Sequence, residues 1–188
     1  SDKWFDVAQR CGKEAEKVQV EWGEPLDPDS VRSKLAEGGF DAVTLVHNET
    51  STGVMNPLAD IADVVNEFDD VLLIVDSVSS FSAVPIATDQ LGIDVLLAGV
   101  QKAMALPPGL SVFVTSEAAL ARAESTPDRG YYFDFLEFAR NHAKNNTPST
   151  PSISLLQGLD AMVACILKEG LPDRYQRHAE NNALVHQW

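Results

Sequence analysis

The sequence predicts an α/β protein with a mostly parallel sheet that is flanked by helices. Short runs of β-branched and aliphatic residues alternate along the chain with stretches whose apolar residues recur at the helical period. Strands that alternate with helices are typical of βαβ units, whose crossover helices cover both faces of a sheet. With 188 residues, 45% of them hydrophobic, the chain has enough apolar side chains for one sizeable core.

Each predicted strand is a short apolar run between polar segments. The strands are predicted over residues 18–22, 42–46, 71–75, 95–97 and 110–114. Helices are predicted over residues 29–36, 57–66, 117–123, 133–143, 152–168 and 173–186. Asp27 before Pro28 is typical of a helix N-cap, and Asn56 before Pro57 predicts the same for the next helix.

The charge balance excludes some classes of protein. Asp and Glu number 28 against 14 Lys and Arg, which gives a net charge of −14. A protein that binds duplex nucleic acid or an anionic membrane needs the opposite balance. No apolar run approaches the ~20 residues of a membrane helix. Two distant cysteines, Cys11 and Cys165, form no disulfide framework, and no secretory signal opens the sequence, so we expect a cytoplasmic protein.

Four polar segments lie at or just beyond the ends of predicted strands. They are residues 47–53, 76–80, 99–102 and 107–109. In open parallel sheets, ligands bind at the carboxyl ends of the strands. These segments are therefore the first candidates for a binding site.

Asp76 and Lys102 are the two charged residues in these segments with the clearest chemistry. Taken singly, Asp76 is equally consistent with a binding role and with a helix cap or a metal ligand. Lys102 is equally consistent with a nucleophile and with a surface lysine. Taken together, an aspartate and a lysine at the ends of two strands are the pair that pyridoxal phosphate enzymes use. The lysine forms the Schiff base, and the aspartate keeps the pyridine nitrogen protonated.

The motifs VHNETSTGVMNPL, LLIVDSVSS, GIDVLLAGVQKAMALPPGLSVF and TPSTPSISLLQGLDAM follow one another along the chain. In this order they resemble the large domain of class V, fold type I pyridoxal-phosphate-dependent aminotransferases. The closest resemblance is to the alanine–glyoxylate, serine–glyoxylate and serine–pyruvate type. The resemblance implies an aspartate-aminotransferase-like fold. Residues 1–168 would form a partial large domain, and residues 169–188 a helix leading toward a small domain.

The resemblance also implies roles for individual residues. Lys102 is the Schiff-base lysine and proton shuttle, and Asp76 pairs with the pyridinium nitrogen. Thr50 hydrogen-bonds the ring-side oxygen of the cofactor, Gln101 contacts its phosphate, and Val78 packs on one ring face.

A neighbouring subunit contributes to each site in this family. Asn146 and Thr147 resemble the segment that contacts the cofactor phosphate across the subunit interface, and Thr150 is the competing candidate. The resemblance thus implies a homodimer. It also implies amino transfer from serine or alanine to a 2-oxo acid, either glyoxylate or pyruvate.

The sequence departs from the family in three respects, which predict that it is a fragment. The upstream turn that holds the phosphate is not found. No candidate for the aromatic residue that stacks on the ring precedes Trp22, and Trp4 is assigned to packing, as are Trp22, Trp188, Tyr131, Tyr132, Phe133 and Phe135. No arginine stands in the context of the residue that binds the substrate carboxylate; the arginines considered are Arg122, Arg129, Arg140, Arg174 and Arg177.

Two other functions stay open. One is another class V enzyme, a cysteine desulfurase or a lyase, although desulfurases place a histidine before the lysine and here Gln101 precedes Lys102. The other is an α/β fragment without catalytic activity. In the first polar segment, His47 is equally consistent with a place near the ring and with a structural role. Glu49 is expected to anchor the loop backbone.

Overall fold

The structure is a computed structural model, and it describes residues 2–188. Seven helices and six strands are numbered in chain order. The helices are α1 Asp2–Arg10, α2 Pro28–Leu35, α3 Leu58–Val65, α4 Glu117–Ser125, α5 Phe135–His142, α6 Ile153–Glu169 and α7 Leu171–His186. The strands are β1 Ala42–Val46, β2 Asn48–Glu49, β3 Val54–Met55, β4 Leu72–Asp76, β5 Val95–Gly99 and β6 Ser111–Thr115.

The main sheet has the strand order β1-β4-β5-β6. β1 pairs with β4 and β4 with β5 in parallel, while β6 runs antiparallel to β5. β2 and β3 form a small antiparallel hairpin directly after β1. The predicted α/β class with a mostly parallel sheet is confirmed.

Two apolar clusters cover the sheet. The larger one joins α2 and α3 to the strands through fully buried side chains such as Ile61 and Leu73. The smaller one joins the loop after β5 to α6 through Val100, Met104 and Ile166. The buried packing is therefore dense around α2 and α3 and sparser around α6.

Local signals explain most helix boundaries. The Asp27 carboxylate accepts hydrogen bonds from the backbone N–H groups of Asp29 and Ser30, so the predicted cap of α2 is confirmed. The predicted Asn56 cap of α3 is wrong. The Asn56 side chain instead accepts from Leu26 N at 2.8 Å and donates to Val46 O at 2.7 Å. It ties the segment before α2 to the end of β1.

The predicted strand at residues 18–22 is wrong, and α1 was not predicted. Residues 13–21 belong to no helix or strand, and Trp22 is 79% exposed. An apolar run becomes a strand only when a neighbouring strand pairs with it, and no strand pairs with this one. α1 buries none of its residues, although its apolar side chains recur at the helical period.

Several aromatic side chains assigned to packing are exposed. They are Trp22, Tyr131, Tyr132, Phe133 and Trp188. Phe135 does pack, with its ring centroid 5.3 Å from that of Phe113. Among residues 2–188, no helix is long and apolar enough to cross a membrane.

Candidate active site

The carboxyl ends of the three parallel strands meet at one edge of the sheet. In the strand register, Asp76 at the end of β4 lies beside Val46 in β1 and Leu97 in β5. The segments that follow β1, β4 and β5 therefore lie side by side. They contain His47 to Gly53, Asp76 to Ser80 and Gly99 to Lys102, three of the four segments predicted from the sequence.

The half-buried Asp76 carboxylate is held at both oxygens. Oδ1 accepts from the backbone N–H of Val78 at 3.0 Å, which caps the turn after β4. Oδ2 accepts from the indole Nε1 of Trp4 at 3.2 Å. The first bond is the local capping that Asp76 alone suggested. The second places an aromatic ring next to the carboxylate.

Trp4, which the sequence assigned to packing, therefore also hydrogen-bonds Asp76. The sequence carried one relevant signal, because an indole N–H is a donor that needs an acceptor when it is half-buried. That signal does not identify the acceptor, since Trp4 and Asp76 are 72 residues apart.

Hydrogen bonds join the neighbouring segments to one another. The hydroxyl groups of Thr50 and Ser79 lie 2.5 Å apart, which connects the loop after β1 to the turn after β4. The fully buried Ser77 donates to Leu97 O from its backbone N–H at 2.9 Å and from its hydroxyl at 2.8 Å. These bonds fix the Asp76 turn against both neighbours.

The loop after β5 presents Lys102 to solvent. Val100 N donates to Leu110 O at 3.2 Å, and Leu106 N donates to Val100 O at 3.1 Å, which closes the base of the loop. Within it, Ala105 N donates to Lys102 O at 2.9 Å. Lys102 therefore lies on a tight turn, with its side chain exposed.

The Gln101 side chain folds back over Gly99. A β-carbon at residue 99 would lie 2.3 Å from Gln101 Oε1, so only glycine leaves room for this conformation. The exposed amide of Gln101 thus lies at the end of β5, one residue before the lysine.

His47 and Glu49 both stabilise the segment that follows β1. His47 is buried, its Nδ1 has no hydrogen-bond partner among the described residues, and burial lowers its pKa. Its backbone N–H donates to Asp76 O at 2.9 Å. The Glu49 carboxylate accepts from the backbone N–H and the hydroxyl of Ser51, and these bonds lower the pKa of Glu49. The expected anchoring role of Glu49 is confirmed.

Asn146 and Thr147 lie on an exposed turn after α5, and their hydrogen bonds are local. Asn146 N donates to Asn141 O at 3.0 Å, and Thr147 Oγ1 donates to Ser149 O at 2.8 Å. Thr150, the competing candidate, is exposed as well. The hydrogen bonds that join the strand-end segments do not involve these three residues.

An α/β sheet that collects an aspartate, a lysine, a hydroxyl pair and an amide at the carboxyl edge of its parallel strands has the form of a small-molecule binding domain. Across residues 2–188, no group of three or more His, Cys, Asp or Glu residues is placed to hold a metal ion. The family model described as "Aminotransferase class-V" matches residues 2–186. The chain belongs to this family, as its resemblance implied.

Three similar proteins illustrate the range of the family. The chain is 38% identical, over 94% of its length and 47% of the relative, to a soluble hydrogenase 42 kDa subunit of Anabaena cylindrica. It is 36% identical, over 95% of its length and 47% of the relative, to a serine–glyoxylate aminotransferase of Methylorubrum extorquens. The crystal structure of an alanine–glyoxylate aminotransferase from Nostoc sp. superposes with a TM-score of 0.92 at 29% identity, and covers 98% of this chain and 49% of that one. The chain thus spans about half the length of the curated relatives it matches.

Proposed function

We propose that this chain carries the cofactor-binding part of a pyridoxal-phosphate-dependent aminotransferase. The amino donor is serine or alanine, and the acceptor is the 2-oxo acid glyoxylate or pyruvate. The observation that carries the proposal is the placement of Asp76 and Lys102 at the carboxyl ends of neighbouring parallel strands in a class V chain. The relatives named for amino transfer to glyoxylate support the choice of substrates.

The residues at this edge fit the cofactor. Asp76 is a half-buried carboxylate fixed by two donors, and Lys102 is an exposed primary amine on a neighbouring segment. The Thr50–Ser79 pair offers hydroxyl groups, and Gln101 offers an amide that lies over Gly99. In this order, these groups suit the four polar parts of pyridoxal phosphate. These parts are the pyridine nitrogen, the aldehyde, the ring oxygen and the phosphate.

When bound, pyridoxal phosphate supplies an aldehyde that accepts an amine and a ring that withdraws electrons from the substrate Cα. Lys102 Nζ would hold that aldehyde in the resting protein, and it would remove and return the proton at the substrate Cα. The Asp76 carboxylate holds the proton on the ring nitrogen, because a carboxylate stabilises the positive charge next to it.

The remaining contacts would orient the cofactor. Thr50 donates to the ring-side oxygen without adding charge, and Gln101 donates to the phosphate. Val78, which follows Asp76 in the same turn, would pack on one face of the ring.

The whole protein is proposed to be a cytoplasmic homodimer. In it, Asn146 and Thr147 on their exposed turn, or Thr150, contact the cofactor phosphate of the neighbouring subunit. Residues 1–168, of which residue 1 lies outside the described part, belong to the large domain. Residues 169–188 lead toward the small domain.

The test of the site is covalent trapping. The purified chain is mixed with pyridoxal phosphate, its absorbance is recorded, and the complex is reduced with borohydride and mapped by peptide mass spectrometry. We expect a yellow band and a label concentrated on Lys102. Lys102→Ala abolishes both, whereas the matched control Lys144→Ala, at another exposed lysine, leaves both unchanged. Labelling spread evenly over the lysines would contradict the cofactor site.

The test of the reaction uses the loaded protein. Addition of serine or alanine is expected to bleach the yellow band and to release the corresponding 2-oxo acid, and glyoxylate or pyruvate restores the band. Release of sulfide from cysteine would identify a desulfurase instead. A stable band that no amino acid changes would leave the chain as a binding module without transaminase activity.

A further inference from the structure

Arg174 is the most deeply buried cation described in the chain, and the proposed reaction assigns it no role. It lies near the start of α7 and is 5% exposed. A buried guanidinium is stable only when its donors are satisfied, because the loss of hydration is large. Its contacts therefore indicate what holds it there.

The guanidinium donates to two separate loops. Arg174 Nε donates to Ser82, at 2.9 Å to the carbonyl oxygen and at 2.8 Å to the hydroxyl. Nη2 donates to Ala103 O at 2.5 Å. Ser82 lies in the turn that follows Asp76, and Ala103 directly follows Lys102. One side chain thus connects the segment after β4 to the segment after β5.

Both loops contain backbone that needs support. Ser82 has a φ of 65° and Ala105 a φ of 56°, in the left-handed region that residues with a β-carbon rarely adopt. Such conformations persist where the surrounding contacts determine them. The bonds from Arg174 to Ser82 are contacts of this kind, and the bond to Ala103 lies two residues before Ala105.

Glu169 sets the direction of the guanidinium. Its carboxylate accepts from Arg174 Nη1 at 3.0 Å and from Arg177 Nε at 2.5 Å and Nη2 at 3.0 Å. The bonds from Arg177 and then from Arg174 lower the pKa of Glu169 to about 2, so it is ionised at neutral pH. Arg177 shares this partner, but its side-chain bonds go to Glu169 and to neither loop.

We propose that Arg174 is a positioning residue that clamps the Asp76 turn to the Lys102 loop and thereby sets the spacing of the two groups. The clamp itself follows from the contacts of Arg174. Its consequence for cofactor binding rests on the proposed function. Since the donors of Arg174 are committed to backbone carbonyls and Glu169, it is not free to bind a substrate carboxylate.

The test of the clamp needs no cofactor. Amide hydrogen exchange is measured by mass spectrometry in the unmodified chain, in Arg174→Met and in Arg177→Met, which removes the other partner of Glu169 and neither loop contact. In Arg174→Met we expect exchange in residues 77–83 and 102–106 to be about tenfold faster. In Arg177→Met these segments exchange as in the unmodified chain, and β4 amides are unchanged in both variants.

Three results would overturn the proposal. They are unchanged exchange in the two segments, equal acceleration in Arg177→Met, and equal acceleration throughout β4 and β5, which would indicate a general loss of stability. If Arg174→Met does not fold, Arg174→Lys replaces it. That variant keeps the positive charge beside Glu169, but it lacks the fork that reaches both loops, so the same acceleration is expected.

A second measurement separates this inference from the proposed function. The rate at which pyridoxal phosphate is trapped on Lys102 is expected to fall about tenfold in Arg174→Met or in its substitute Arg174→Lys, and not in Arg177→Met. Failure of the unmodified chain to label Lys102 contradicts the proposed function, while the exchange data still decide whether Arg174 is a clamp. Normal labelling with an unaltered rate in the Arg174 variant contradicts the positioning role.

Discussion

The helices α3 and α6 are both rich in apolar residues, but they are buried to very different extents. α3 buries five of its eight residues, whereas α6 buries only Ile166 of its seventeen. α3 packs against both β4 and α2, and Val31 and Leu35 of α2 belong to the same buried cluster. α6 packs through Ile166 against Val100 and Met104 in the loop after β5. The burial of an apolar helix thus depends on the elements that pack against it, and its composition alone does not determine how much of it is buried.

The exposed face of α6 has a consequence for stability. Its apolar side chains in contact with solvent are Ile153, Leu156, Val163 and Leu167. Side chains that stay in water when the chain folds contribute little to the free energy of unfolding. We therefore expect most of the stability of this chain to come from the apolar cluster around α2 and α3.

The largest effect is expected from Ile61→Ala in α3. Ile61 is fully buried, so its truncation removes buried methyl groups and leaves a cavity. Comparable substitutions cost about 3 kcal/mol of unfolding free energy. Denaturant unfolding followed by circular dichroism measures the change. A loss below about 1 kcal/mol would show that the cluster around α2 and α3 does not provide most of the stability.

A smaller, pH-dependent effect is expected from Glu169→Gln at the junction of α6 and α7. The folded-state pKa of about 2 lies below the ordinary 4.5, so the ionised carboxylate stabilises the fold above pH ~4.5. That contribution is lost as the pH falls from about 4.5 to 2. Thermal unfolding should therefore separate the variant from the unmodified chain at pH 6 and bring the two together near pH 2. A constant gap over this range would contradict the ion pairs.

The smallest effect is expected from Leu167→Gln on the outer face of α6. Leu167 is 70% exposed, so a polar replacement should change the unfolding free energy by less than about 0.5 kcal/mol. Denaturant unfolding at two protein concentrations provides the measurement. A loss above about 1 kcal/mol that grows with concentration would show that a second copy covers this face, and would remove the contrast with α3.

The candidate site shows how far local patterns reach. Asp76 and Lys102 were predicted as strand-end residues, because an apolar run followed by polar residues marks where a buried strand leaves the sheet. The structure places both at the carboxyl edge and adds the Thr50–Ser79 contact. Their roles toward the cofactor stay predictions until Lys102 is trapped.

Other parts of the site have no local signature. Trp4 lies in a helix without buried residues, and Arg174 is one of several charged residues in α7. Their partners lie 72 residues away for Trp4, and 92 and 71 residues away for Arg174. No spacing in the sequence encodes contacts at such separations.

The sequence by itself determined the alternation of strands and helices, and the order in which the polar segments follow them. These features depend on side-chain periodicity and capping within a few residues. Only the tertiary structure decided that residues 18–22 have no strand partner, that β6 runs antiparallel, that α6 stays exposed, and that Trp4 and Arg174 meet the site. Each of these depends on which distant segment lies alongside, and the free energy of that contact belongs to the pair of segments and to neither one alone.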